Sequence, residues 1–307
     1  MSQWLISLEG TEAGLTLSMA LALAAAVLHA IFGALQKGRH DPWLSRAGID
    51  LCMIVLAAPV ALFLVPWPEP ALWPFLVGAL AIHVGYKILQ AMTYTRGAYT
   101  VVYPVVRGSG PLFTVLGAGL LFGEHFNALQ WAGLAVLLAG IWGFAAYNLR
   151  KVTVDRDRLI SALGFAVATG AFVALYTTWD AWAIRRAADP FTFLAWFFLL
   201  DAFFMPLVAA PRLLALPRAE LSSLLRRGLI GAFVAVASFG GIMLATRLGP
   251  VGQAAVLRET STVFSALIGW LMLGERSGPV RVALMAMIAL GAVDRKSTRL
   301  NSSHLVI

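Results

Sequence analysis

Two arginines lie at matched positions inside two apolar segments of the chain. Arg107 belongs to VVYPVVRGSGPLFTVLGAGLLFGE, which begins at Val101, and Arg258 belongs to VGQAAVLRETSTVFSALIGWLMLGE, which begins at Val251. A buried guanidinium needs a carboxylate, backbone carbonyls or an anionic ligand as its partner. One interpretation is that both arginines bind an anionic substrate. The alternative is a structural ion pair with an acid of the apolar segments, namely Asp180, Asp201 or Glu259.

A polar stripe follows one face of a third apolar segment. His83, Lys87, Gln90 and Tyr94 are spaced by four, three and four residues, which places them on one side of a helix. Such groups rarely face lipid, so we expect them to line a water-filled cavity or the bundle interior. His83, Lys87 and Gln90 are therefore candidate ligand-binding residues. A lone buried histidine would more often be an ordinary core residue, and the nearby Lys87 favours the cavity.

Tyrosines and further titratable residues extend this candidate site. Tyr103 lies one helical turn before Arg107, and Tyr176 lies one turn before Asp180, so both tyrosines are expected to form cavity walls. Asp180 itself is predicted to be an interfacial acid near its helix end. The titratable candidates in the apolar segments are His29, His83, Asp201 and Glu259.

Glu124 and Glu275 end the two repeated stretches and are predicted to be structural. Each follows a glycine that can end a helix, and each precedes a further apolar segment. The sequence has no phosphate-binding glycine loop, metal-ligand cluster or nucleophile–base motif. No catalytic residue, metal or cofactor is therefore predicted.

The composition is that of an integral membrane protein. The 307 residues are 60% hydrophobic and 12% charged, with a mean hydropathy of +0.82, whereas soluble domains are about half apolar and a quarter charged. The formal net charge of +8 does not call for a nucleic-acid partner, because Lys and Arg in loops orient membrane proteins. The single cysteine, Cys52, excludes an internal disulfide.

The elements that must position these residues are apolar helices of membrane length. A spanning helix needs about 20 residues. Ten segments are predicted to span: Ala13–Leu35, Ala47–Val65, Ala71–Tyr94, Tyr99–Phe122, Ala128–Tyr147, Leu159–Ala183, Phe191–Ala210, Gly228–Thr246, Pro250–Leu273 and Pro279–Val293. The tenth is short, at about 22 Å for a rise of 1.5 Å per residue.

The chain divides into two five-helix halves, residues 1–150 and 151–293. A shift of 151 residues aligns the stretches around Arg107 and Arg258, and LQKGRHDP resembles AIRRAADP more weakly. Because five crossings are an odd number, the second half must be inverted in the membrane. Inverted repeats are typical of secondary transporters, which bind substrate near the midplane between the repeats. The fold class predicted is an all-α integral membrane protein with ten helices in two inverted repeats.

The last residues look foreign to this architecture. DRKSTRLNSSH, residues 294–304, resembles the translation of a sequencing-adapter oligonucleotide. Residues 294–307 are therefore predicted to be non-native. Most basic loop residues, among them Lys37, Arg46 and Lys151, fall on one side of the predicted membrane topology. Their excess predicts that this side is cytoplasmic and that both termini lie on the opposite side.

The whole pattern resembles the EamA-type drug/metabolite transporters. The resemblance lies in the five-plus-five duplication, the GE tails at Glu124 and Glu275, LHAIFGALQK from Leu28 and ALYTTWDAWAIRR from Ala174. It implies a carrier of small metabolites in a bacterial inner membrane, with both termini in the cytoplasm, contrary to the basic-loop pattern. Four-helix relatives expel cationic drugs with a first-helix glutamate. Here that helix has His29 and no intramembrane acid, so that mechanism is not expected.

The predicted function is alternating-access transport, as an exporter or exchanger, of a small polar metabolite with a carboxylate or phosphate. His83, Lys87, Arg107 and Arg258 would give the cavity a positive bias, and His29, His83, Asp201 or Glu259 would serve coupling. Expected partners are the lipid bilayer and a small-molecule substrate, with a homodimer left open. The alternatives are an efflux carrier for cationic or drug-like compounds, and an intramembrane enzyme or lipid-handling protein.

Overall fold

Helices make up almost all of the chain that the structure describes, and no strand occurs in those residues. The computed structural model describes residues 2–36, 41–96, 99–150 and 156–264, together with residues 267, 283, 284, 286 and 287. The α-helices in this part are α1 (Ser2–Ser7), α2 (Glu12–Gln36), α3 (Pro42–Pro59), α4 (Trp73–Arg96), α5 (Tyr99–Phe122), α6 (Ala128–Leu149), α7 (Arg156–Arg186), α8 (Pro190–Asp201), α9 (Phe204–Leu214), α10 (Arg218–Leu248) and α11 (Val251–Arg258). Most of the tenth predicted span, and residues 294–307, lie outside the described residues.

Among the described residues, seven helical segments are long and apolar enough to cross a membrane. They are Glu12–Phe32, Trp43–Leu64, Pro70–Thr93, Val105–Phe122, Ile160–Arg186, Pro190–Leu214 and Arg218–Leu248. The apolar part of α6, Ala128–Gly143, is shorter. The all-helical membrane fold is thus confirmed, while the count of ten spans, the two halves and their inversion stay predictions.

Several helix boundaries follow signals that are legible in the sequence. α5 has the predicted bounds and stops at Gly123, whose φ of 63° is a conformation that glycine adopts readily. α8 begins after Asp189, whose carboxylate accepts a hydrogen bond from Phe191 N at 2.8 Å. Pro190 occupies the first turn of α8, where its missing N–H costs no helical hydrogen bond.

The seventh predicted span is divided, which corrects the expectation of one continuous helix. The chain leaves the helix at Ala202–Phe203, between α8 and α9. Pro206, shortly after the break, has no N–H to donate to the preceding turn, and this favours the interruption. Backbone groups exposed by a break inside a bundle must be satisfied by other protein groups or by water.

The ninth predicted span is interrupted as well. α11 ends at Arg258, Glu259 and Thr260 form a turn, and residues 261–264 are helical again. Both interruptions therefore lie beside a buried acid, Asp201 in one case and Glu259 in the other.

Close helix packing depends on glycines. α7 packs along α4 and α5, while α10 packs along α2 and α3. A Cβ on Gly170 would lie 2.5 Å from the Cβ of Ser109, and one on Gly228 would lie 2.6 Å from the carbonyl oxygen of Gly48. Only small residues permit such approach of two membrane helices. α8 lies at the centre of the bundle, with ten of its twelve residues buried.

Glu124 closes one end of the bundle by joining two helices. Its carboxylate accepts hydrogen bonds from Val251 N at 2.6 Å and from Gly252 N at 3.0 Å. These are orphan N–H groups at the start of α11, so the acid caps that helix. The structural role predicted for Glu124 is the one observed, although it caps α11 rather than the adjacent α6.

Two arginines add further polar contacts at the same end. Arg185, in the last turn of α7, donates to the carbonyls of Thr246 and Gly249 at 2.8 Å each. Arg247, in the last turn of α10, pairs with Glu9 and donates to carbonyls at the end of α7. We call this end, defined by Glu124, Arg185 and Arg247, the tied end.

Candidate functional site

A cavity of about 70 Å³ lies between the membrane-length helices. Its wall is built from α2, α3, α4, α5, α7, α8 and α10. The polar and charged residues of the wall are His29, Arg46, His83, Tyr86, Lys87, Gln90, Arg107 and Asp201. Six residues predicted from the sequence therefore meet at one cavity: His29, His83, Lys87, Gln90, Arg107 and Asp201.

The first charged group beside the cavity is the lysine cluster, formed by Arg46, Asp50, Lys87 and Asp201. The ammonium of Lys87 lies 3.0 Å from Asp201 Oδ2 and 3.3 Å from Asp50 Oδ2. Arg46 Nε lies 2.9 Å from Asp50 Oδ1, and Arg46 Nη2 lies 3.9 Å from Asp201 Oδ2. Asp50 is fully buried, so its charge must be compensated within the protein.

The break between α8 and α9 helps to position Lys87. The ammonium donates a hydrogen bond to the backbone carbonyl of Asp201 at 2.8 Å. Asp201 is the last residue of α8, where carbonyl groups lack helical partners. The sequence thus places a long cationic side chain on α4 opposite an acid and a helix end on α8.

His83 lies one turn from Lys87 and binds a different acid. His83 Nε2 is 2.9 Å from Asp180 Oδ2, and the imidazole packs on Tyr176 and Phe197 with ring centroids 4.7 and 4.9 Å away. Asp180 is only 3% exposed. The prediction of an interfacial Asp180 is therefore wrong, because the carboxylate faces α4 inside the bundle.

The second charged group is the glutamate cluster, formed by Arg107, Arg258 and Glu259. Arg107 Nε lies 3.0 Å from Glu259 Oε2, and Arg258 Nε lies 3.9 Å from Glu259 Oε1. Arg107 also donates to Ser261 Oγ at 2.7 Å. All three members of the cluster are at most 5% exposed. The alternative of a structural ion pair thus holds for both arginines, although Arg107 lines the cavity as well.

The remaining predicted site residues take different places. Gln90 donates to the Tyr86 hydroxyl at 2.6 Å on the cavity wall. Tyr176 and Arg258 stand outside the wall, with the Arg258 guanidinium 5.9 Å from the Tyr176 ring centroid. The imidazole of His29 packs edge-on against Phe239 at 5.6 Å. The side chains of Tyr103 and Tyr94 lie outside the described residues.

Three residues at or beside the cavity are absent from the sequence-based predictions of the site. Arg46 was assigned to a loop, but it lies in α3 and lines the cavity. Asp50 gave a usable signal, because it stands in the apolar run AGIDLCMIVLAAP four residues after Arg46. Tyr86 gave a weak signal: it lies three residues after His83 and four before Gln90, on the same helix face, but an aromatic residue in an apolar helix is ordinary.

The charges are arranged in two layers. The cavity wall carries three cations, Arg46, Lys87 and Arg107, and one carboxylate, Asp201. The carboxylates of Asp50, Asp180 and Glu259 stand behind the wall and hold its basic groups. In the described part of the chain the wall itself therefore has a positive bias, while the acids behind it lower the cost of burying the cations.

The size and lining of the cavity limit what it can do in this conformation. Binding pockets for small molecules commonly measure about 300–1,000 Å³, whereas a volume of about 70 Å³ accommodates a few waters. The aromatic part of the wall consists of Phe32, Tyr86, Phe197, Phe198 and Phe239. The arrangement suits reversible binding of a small charged molecule once the surrounding helices separate.

Comparisons with known proteins agree with this architecture. Residues 160–293 match the EamA-like transporter family. A protein of Sinorhizobium fredii (strain NBRC 101917 / NGR234), described as uncharacterized protein y4nH, is 31% identical over 70 residues, which are 23% of this chain. The chain spans about 60% of the length of that curated relative.

A protein of known crystal structure has a similar fold. It superposes with a TM-score of 0.70 over 92% of this chain and 97% of its own, at 20% sequence identity. At that identity the likeness concerns the fold alone. The family match agrees with the resemblance seen in the sequence: residues 160–293, somewhat less than half of the chain, carry the EamA-like transporter pattern.

Proposed function

We propose that the protein is a secondary transporter for a small polar metabolite that bears a carboxylate or phosphate, such as an amino acid or organic acid. The observation that carries the proposal is the cavity wall, where three cations face the space and one carboxylate accompanies them. An anionic group bound there would gain charge-assisted hydrogen bonds in a site shielded from water. A positive wall of this kind favours anions over cations of equal size.

The proposed binding residues are those of the wall and the residues in contact with it. Arg46 and Arg107 present guanidiniums, and His83, Lys87 and Gln90 add polar groups. Tyr176 and Arg258 support the wall through His83 and Glu259, and Tyr103 stays a candidate. The titratable candidates for coupling are His29, His83, Asp201 and Glu259.

The proposed mechanism is alternating access by an exporter or exchanger. The tied end is closed by Glu124, Arg185 and Arg247. Some of the wall residues come from the middle part of long helices, for example Val173 of α7 and Phe239 of α10. A cavity with one closed end fits one stage of a transport cycle, and opening the tied end would complete it. We propose ten spans in two inverted halves, residues 1–150 and 151–293, in a bacterial inner membrane.

A second candidate is efflux of a cationic or drug-like compound. The aromatic wall and Asp201 favour it, because aromatic faces attract organic cations. The two candidates predict opposite ligand preferences, so binding to the purified protein separates them.

The test is thermal unfolding of the detergent-solubilised protein with a ligand panel at constant ionic strength. The panel contains amino acids, dicarboxylates, sugar phosphates and quaternary amines. We expect carboxylates or phosphates to raise the melting temperature of the wild type and of Arg212→Ala, an exposed charge-matched control. The same ligands should not change the melting temperature of Arg107→Ala. Stabilisation by quaternary amines alone would replace the proposal with the second candidate.

A further inference from the structure

We propose that the ammonium of Lys87 is a tethered cation that fills a monovalent-cation site. Three oxygens surround Lys87 Nζ: the Asp201 carbonyl at 2.8 Å, Asp201 Oδ2 at 3.0 Å and Asp50 Oδ2 at 3.3 Å. A lysine ammonium has three N–H donors, and three acceptors stand within reach. Lys87 is 6% exposed, so these oxygens replace water around the charge.

The oxygen set has the chemistry of a cation site rather than that of an ordinary surface ion pair. It combines two carboxylates with a backbone carbonyl at the interruption between α8 and α9. Carbonyls at unwound membrane helices, together with helix C-terminal ends, are the groups that coordinate coupling cations in transporters. Here the position that an inorganic cation would take is held by a side chain of the protein.

The charges of the lysine cluster agree with one cation at this position. Arg46 and Lys87 supply two positive charges, and Asp50 and Asp201 supply two negative charges. An added inorganic cation would leave the cluster with an excess positive charge in a buried place. The native protein is therefore independent of sodium and potassium at this site, and removing the ammonium creates a vacant site for a monovalent cation.

This inference goes beyond the transport proposal, because it concerns the cation site and not the transported molecule. Its experiment needs no substrate, so failure here and failure of the transport proposal can be told apart.

The experiment compares Lys87→Ala with the wild type by thermal unfolding in detergent, at alkaline pH where carboxylates are ionised. Sodium, potassium or methylammonium chloride is exchanged for choline chloride at constant ionic strength. We expect at least one of the small cations to raise the melting temperature of Lys87→Ala by roughly 2–4 °C relative to choline. The wild type should show no such difference.

Two further variants serve as controls. Arg212→Ala removes one exposed cation and should respond like the wild type. The double variant Lys87→Ala/Asp50→Asn removes the extra negative charge and should lose the cation response. If Lys87→Ala responds no more than Arg212→Ala, the proposal is overturned.

The wild type provides a test that does not depend on folding of Lys87→Ala. If sodium or potassium stabilises the wild type relative to choline, and Asp50→Asn abolishes that effect, the site accepts an external cation and Lys87 does not fill it. Indifference of the wild type to all three salts is the result that the tethered cation predicts.

Discussion

The lysine cluster and the glutamate cluster adjoin the same cavity but balance their charges differently. The lysine cluster joins two cations to two carboxylates across α3, α4 and α8. In the glutamate cluster, two arginines of α5 and α11 share the carboxylate of Glu259. Counted over their named members alone, the lysine cluster has as many carboxylates as cations, and the glutamate cluster has two cations and one carboxylate.

The clusters also differ in the number of carboxylates that compensate their cations. Asp50 and Asp201 both contact Lys87, so either can partly stand in for the other. In the glutamate cluster, Arg107 and Arg258 both pair with the single carboxylate of Glu259. Substitutions of single acids should therefore separate the two clusters by their effect on stability.

The largest effect is expected for Glu259→Gln. The amide leaves two buried guanidiniums without a carboxylate between them, and breaking a buried ion pair costs about 3–5 kcal/mol. We expect a large fall in the melting temperature, or loss of folded protein, in detergent. Glu220→Gln, on the exposed start of α10, is the matched control and should unfold like the wild type. Equal stability of the two variants would show that Glu259 does not hold the arginines.

Asp50→Asn should cost less than Glu259→Gln. Asp201 stays within 3.0 Å of Lys87 and 3.9 Å of Arg46, so the cations keep one carboxylate. We expect the free energy of unfolding to fall by about 1–3 kcal/mol, because the hydrogen bonds to residue 50 weaken and buried polar atoms lose part of their bonding. Thermal unfolding of both variants side by side measures the difference. If Asp50→Asn is the more damaging change, the assignment of a self-compensated lysine cluster fails.

The smallest effect is expected for Arg212→Ala, which removes an ion pair outside both clusters. Arg212 Nη1 and Asp41 Oδ2 are 2.8 Å apart, but the arginine side chain is 65% exposed. Exposed pairs contribute about 0–1 kcal/mol, because water screens them and side-chain entropy opposes them. The melting temperature should shift by no more than roughly 1–3 °C. A shift as large as that of Asp50→Asn would mean that the buried ion pairs of the clusters contribute no more to stability than an exposed pair.

Parts of this arrangement could be predicted from the sequence because they depend on local pattern. The bounds of α5 and the placement of His83, Lys87 and Gln90 on one helix face follow from apolar length and helical spacing. Glycine after a helix predicted the stop at Gly123. These features need only the residues near them in the chain.

Other parts depend on contacts between distant residues. The acid that pairs with Arg107 is Glu259, which lies in the turn after α11 and is far from Arg107 in the sequence. Nothing local distinguishes Asp180 as a partner of His83 from an interfacial acid. The break after Asp201 had one weak signal, Pro206, and Arg46 was hidden because it stands near a helix start, where loops also carry basic residues.

The most direct test of the transport proposal is exchange in proteoliposomes. The protein is reconstituted with the metabolite that stabilises it most, and uptake of the labelled compound is measured for the wild type, Arg107→Ala, Lys87→Ala and the control Arg212→Ala. Folding of each variant is checked first by size-exclusion chromatography. The account predicts uptake by the wild type and Arg212→Ala, and a loss of at least roughly tenfold for both cavity variants. Arg107→Ala removes a charge-assisted contact to the anion, and Lys87→Ala removes the cation that balances Asp50 and Asp201 beside the cavity. Uptake by Arg107→Ala and Lys87→Ala at the wild-type rate would contradict it.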